Sequence, residues 1–125
     1  MWREVVFDGW ASKYSVSINK AKIGNVSISK VKAARKKKVN VTFTTANGVV
    51  GYQIRYSTDK NFEKNVKIKT FNLNKAKIVN GNKRAYTISK LKKNKKYYFQ
   101  IRAYVDRDNS RYYSDWSKAK KVKVK

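Results

Sequence analysis

Residues Leu91 to Ala103 read Leu-Lys-Lys-Asn-Lys-Lys-Tyr-Tyr-Phe-Gln-Ile-Arg-Ala, and this stretch decides the fold. Tyr97, Phe99, Ile101 and Ala103 alternate with Tyr98, Gln100, Arg102 and Tyr104. A period of two belongs to a β-strand, whose successive side chains point to opposite faces. The basic run Lys92 to Lys96 in front of it reads as a turn.

The same period recurs outward from this stretch. Val39, Val41 and Phe43 alternate with Asn40, Thr42 and Thr44, and Tyr52, Ile54 and Tyr56 with Gln53, Arg55 and Ser57. Val26, Ile28 and Val31 begin another strand, and Val66 and Ile68 with Phe71 or Thr70 make one more. Tyr86, Ile88 and Leu91 follow, and Val122 and Val124 alternate with lysines at the end. That gives about seven strand candidates, each with one apolar and one wet face. Asn47-Gly48 and Asn80-Gly81 are turn dipeptides, since Asn and Gly tolerate positive φ, and Arg35 to Lys38 is another basic turn. No segment keeps a 3.6-residue apolar stripe, so no long helix is expected. The expected fold is all-β, an antiparallel immunoglobulin-like β-sandwich over residues 23–125. The first 22 residues lack clean alternation until Tyr14, Val16 and Ile18. They read as a linker or the tail of a preceding domain with one strand at most, or equally as an ordinary first strand with a frayed end.

Composition limits the chemistry. The chain has 125 residues, one domain's worth, with 32 Lys plus Arg against 7 Asp plus Glu, a net charge of +25. It has no Cys and no His, which removes disulfides, thiolate nucleophiles and the commonest general base and metal ligand. Few enzymes can be assembled from Glu4, Asp8, Asp59, Glu63, Asp106, Asp108 and Asp115. Neither a cofactor nor a metal is expected. High charge with low hydrophobicity is also the disorder signature. Nine Tyr, five Phe and three Trp, mostly in regular alternation, point to a folded domain with a basic surface. No run spans a membrane. Met1 to Lys20 carries Glu4 and Asp8 and does not read as a signal peptide. The chain is thus expected to be cytoplasmic or a piece of a longer secreted protein.

The strand residues resemble the fibronectin type III family. A Leu at 91, a Tyr six positions later and apolar residues at every second position after it fit that family's loop and penultimate strand. The resemblance puts Tyr97 at the tyrosine corner, with its hydroxyl on nearby backbone. Gly51-Tyr-Gln-Ile-Arg-Tyr-Ser57 and Ser114-Asp-Trp-Ser117 are similar to two further family segments. Phe43 stands where the family usually has Trp. The lysine-rich wording, in "KKKVNVTF", "GYQIRYSTDKNF", "LKKNKKYYFQIRAY" and "YSDWSKAKKVKV", resembles repeated modules of secreted or wall-attached proteins of Gram-positive bacteria. This implies a non-catalytic module of a longer extracellular protein, with neighbouring domains as partners.

Such a fold implies where the charge goes. Arg35, Lys36, Lys37 and Lys38, then Lys60 and Lys64, then Lys92, Lys93, Lys95 and Lys96 share one end, toward which Lys121, Lys123 and Lys125 run. Asp106, Asp108 and Asp115 fall at or near the other end. A dense cationic end suits anionic wall polymers, sulfated glycans and, nonspecifically, nucleic acid. The plain alternative is that these lysines only solubilise the module and blunt its edges. Arg55, Arg102 and Trp116 are expected to stack on a sheet face, with Tyr98, Tyr104, Tyr112 and Tyr113 exposed nearby. Such a face either clamps the sheet or, as in an accessory module of a secreted glycosidase, offers rings to sugars. Asp106 and Asp108 have calcium-loop spacing but no twelve-residue Gly-bearing loop and no bidentate Glu. The sequons at Asn25 and Asn40 carry weight only in a eukaryotic host.

Overall fold

A computed structural model describes residues 26–125, and the expectation for residues 1–22 lies outside them. The described chain is two antiparallel sheets face to face. The strands are β1 (Ile28–Ala34), β2 (Lys38–Thr44), β3 (Gly51–Ser57), β4 (Lys67–Asn72), β5 (Lys77–Asn80), β6 (Lys83–Ile88), β7 (Lys96–Arg107), β8 (Ser110–Tyr113) and β9 (Lys120–Lys123). One sheet runs β1-β2-β6-β5; the other runs β4-β3-β7-β8, with β9 also on β7. The single helical piece among the described residues is a turn of 3-10 helix, Leu73–Lys75, held by Arg84, which donates to the carbonyls of Leu73 and Ala76. No helix among them is long and apolar enough to cross a membrane.

The alternation does what a period of two requires. Val39, Val41 and Phe43 meet Tyr52, Ile54, Phe99 and Ile101 in a core from which water is excluded. Phe43 fills the place of the family's usual Trp, its ring 4.8 Å from Tyr52 and 6.0 Å from Phe71. Burying such side chains gives about 1.5–3 kcal/mol each and is the main force holding the sheets together.

Four expectations change. In β4 the register pairs Phe71 with Tyr52 and Ile68 with Arg55. Paired residues share a face, so only Phe71 enters the core, while Ile68 is 50% and Val66 36% exposed. Two strands lie outside the seven that alternation marks. β5 is a short edge strand with Ile78 and Val79 exposed, and β8 returns from β7 through Asp108-Asn109. Both turn residues are left-handed, at φ 49° and 65°, as a type I′ hairpin requires. Of the two turn glycines only Gly48 uses positive φ, at 77°.

The fourth correction is Tyr104. Alternation sends it outward, yet it is 1% exposed. Gly51 lies directly opposite it in register, and a Cβ there would come within 2.5 Å of the Tyr104 hydroxyl and 2.4 Å of the Phe71 carbonyl. The ring occupies the space the glycine leaves, an aromatic covering a sheet glycine. Its hydroxyl donates to Asn72 Oδ1 at 3.1 Å, and Arg111 closes the other side.

Candidate functional site

Two places gather the residues singled out above. The first is the outer face of the larger sheet. Arg55 and Arg102 alternate outward from β3 and β7, and Trp116 follows β8. The Arg55 guanidinium sits 4.5 Å and that of Arg102 4.4 Å from the Trp116 ring centroid. The row extends to Tyr113, expected near this face, 3.8 Å from Arg102, and to a ring the sequence did not place there, Phe62, 4.6 Å from Arg55. Neighbouring glutamines orient the guanidinium groups. Arg55 Nε donates to Gln100 Oε1 at 2.7 Å and Arg102 Nε to Gln53 Oε1 at 2.8 Å. The amides pass the chain on, Gln53 to Thr70 Oγ1 at 3.0 Å and Gln100 to the Ser117 carbonyl at 2.8 Å. Partial burial lowers both arginine pKa values from their ordinary range, yet guanidinium remains charged.

Two serines set Trp116 there. The segment between β8 and β9 leaves the regular ladder: Ser114 N and Ser117 N still donate to the Ala103 and Ile101 carbonyls at 2.9 and 2.8 Å, and the serine hydroxyls take the return bonds. Ala103 N donates to Ser114 Oγ at 2.9 Å and Ile101 N to Ser117 Oγ at 3.0 Å. Each ring of this row lies beside a guanidinium. Tyr112 packs against the core instead, and Tyr104 is buried.

The second place is the lysine-rich end. Leu91 N donates to the Lys37 carbonyl at 3.1 Å, joining the turn of Arg35, Lys36, Lys37 and Lys38 to the loop of Lys92, Lys93, Lys95 and Lys96. Asn94 N donates to the Val124 carbonyl and Val124 N to the Lys95 carbonyl, both at 2.9 Å, which brings in the strand carrying Lys121 and Lys123. The loop after β3, with Lys60 and Lys64, faces the same loop across a cleft shared by Asn65, Lys90 and Lys92. Tyr97 holds the corner: Lys92 N donates to its hydroxyl at 2.9 Å. This is the bond a tyrosine corner requires.

Two of the described carboxylates have clear partners. Asp59 accepts from the backbone N–H of Asn61 at 3.2 Å and Glu63 at 3.0 Å, which lowers its pKa from the ordinary carboxylate value. Asp106 pairs with Arg111 at 2.8 Å at the far end, and Asp108 is a hairpin turn residue. No group of three acidic or other metal-ligating side chains forms among the described residues.

A solved structure titled "Myokine structure" superposes with a TM-score of 0.51 at 15% identity, over 82% of this chain and 94% of that one. At that identity the likeness concerns the fold. No curated protein matches the sequence. Residues 25–123 match the family described as the purple acid phosphatase N-terminal domain, a non-catalytic β-sandwich, and with most of its length inside that match the chain belongs to this family.

Proposed function

We propose that this domain is a non-catalytic module of a longer secreted or wall-attached protein, and that its lysine-rich end holds anionic wall polymer or sulfated glycan. One observation carries the reading: hydrogen bonds from Leu91 to Lys37 and between residues 94–95 and Val124 gather three basic segments at one end of the sandwich. The acids of that end, Asp59 and Glu63, are outnumbered by the ten lysines and arginines of its three loops. The family's name sets such domains in front of a phosphatase domain, so a neighbouring domain is the expected covalent partner and the place for any catalysis. Without His or Cys this chain has little to contribute to chemistry. The lysine-rich wording favours a wall-associated bacterial setting.

The test is binding to purified anionic wall polymer, sulfated glycan and neutral polysaccharide at several salt concentrations. The expected result is binding to the polyanions only, falling by about 10³-fold or more between 50 and 200 mM salt if six or more anionic groups are contacted. Replacing Lys36, Lys37, Lys92 and Lys93 by Gln should flatten the slope of log affinity against log salt by about 3, since each lost contact removes about 0.7–0.9. Unchanged affinity and slope in that variant would overturn the reading.

A further inference from the structure

We propose that a cleft within the cationic end takes a single anionic sugar unit, a hexose ring carrying a phosphate or sulfate ester. This rests on the polyanion reading above and names the unit recognised. The cleft holds about 330 Å³ between the loop after β3 and the loop before β7. That is the bottom of the range for small-molecule sites, room for one ring and not for a chain.

Its chemistry is two-sided. The floor is made by Tyr56, Leu91 and Tyr97, each 4–8% exposed, so rings and a leucine present a narrow apolar surface. The rim carries Lys67, Lys90 and Lys92, and no carboxylate lines the cleft. Asn65 and Thr58 supply neutral hydrogen-bonding groups of the kind ring hydroxyls need. An apolar ring face, hydroxyls and one anionic substituent match these three zones.

The walls are set in advance. Ser57 Oγ donates to the Lys64 carbonyl, and Asp59 caps the turn behind it. Opposite, Tyr97 and Lys37 hold the backbone of Lys92 and Leu91. A site fixed before binding avoids the ordering cost of assembling it. Lys90 adds a second observation. It sits at φ 60°, where a residue with a Cβ is disfavoured and Gly would be unstrained. Strain of this kind is tolerated where the side chain has a use, and here the side chain is a cation on the rim.

The experiment is an NMR titration with glucose 6-phosphate, glucose 6-sulfate, glucose and inorganic phosphate. Both esters, or one of them, should shift the Leu91 and Val66 methyls and the Tyr56 and Tyr97 rings, and the stronger ester identifies the polymer chemistry. Glucose and inorganic phosphate should each bind at least about tenfold more weakly, having only one of the two complementary parts. Lys90→Gly keeps the backbone geometry and removes the charge, and should weaken the ester about three- to fivefold. Val66→Trp, which fills the cleft mouth, should abolish the shifts while the other strand signals stay in place. Inorganic phosphate binding as well as the esters, or Val66→Trp leaving the titration unchanged, would overturn the proposal. If the esters fail while polymer still binds and responds to the lysine replacements, the cleft is refuted and the broader reading stands. If polymer fails while the esters bind, the broader reading falls alone.

Discussion

The two basic regions use their charge in opposite ways. On the sheet face, Arg55 and Arg102 are each held by a glutamine and by aromatic rings at 3.8–4.6 Å. At the end of the sandwich, Lys36, Lys37, Lys92 and Lys93 are exposed on turns, with the backbone fixed and the side chains reaching into water. Guanidinium is planar and stacks, so it serves where a cation must be built into structure; a lysine ammonium is a mobile point charge suited to partners from outside. Similar charge thus stabilises the molecule in one region and is available for contact in the other.

This contrast is broken most directly at Trp116. Trp116→Ala removes the ring shared by both arginines, and the lost stacking and burial should cost about 2–3 kcal/mol. A fall in Tm of about 10–20 °C is expected, with polymer affinity per folded molecule unchanged. Loss of polymer binding in protein still folded would show that the two regions are one. Tyr97→Phe tests the corner that fixes the lysine loop. Its single hydrogen bond to Lys92 N is worth about 1 kcal/mol, measurable by denaturant unfolding. Lys36→Gly sharpens the contrast from the other side. Lys36 lies at φ 66°, so glycine should relieve about 1 kcal/mol of backbone strain, return part as chain entropy, and leave a net gain of about 0.5 kcal/mol. No gain in Tm would mean that this turn is unstrained.

The smallest effect is expected at Asp59. Its pKa is below the ordinary value because the backbone N–H groups of Asn61 and Glu63 donate to it. A carboxyl with a depressed folded pKa adds stability above its unfolded value of about 3.9, and that stability is lost as pH falls through the folded value. The stability gap between the wild type and Asp59→Ala should therefore be constant near neutrality and close in the acid range. A gap that persists at the acid end would assign the loop's order to something other than the carboxylate.

Much of this was legible from residues. Alternation in Val39 to Phe43, Tyr52 to Tyr56 and Tyr97 to Ala103 placed the core strands, because both faces of each are decided by strongly different side chains. The stacking of Arg55, Arg102 and Trp116 followed from the same parity. Parity failed where edge strands bury little. Val66 and Ile68 are apolar but outward, since in β4 Phe71 alone fixes the register. β5 carries no strand signal, since Ile78 and Val79 show no alternation, and the signal of β8 is a turn, Asp108-Asn109, that resembles a metal loop. Tyr104 needed knowledge of its cross-strand partner, Gly51, which no local pattern contains. Phe62 joined the arginine row through loop geometry alone. The cleft is formed by loops distant in sequence, and the positive φ of Asn65 and Lys90 that marks it is invisible in the sequence.

The order of the first and last strands has a mechanical consequence. β1 begins away from the turn that joins it to β2, with Ile28 opposite Phe43 and Ala34 opposite Lys38, and so runs toward the lysine-rich end. β9 runs the same way, with Lys120 opposite Phe99 and Lys123 opposite Lys96. Tension applied between Val26 and Val124 therefore acts along both strands from opposite ends of the sandwich. It loads the β1–β2 and β7–β9 bonds in shear, all together, where a pull across the strands would peel them one at a time.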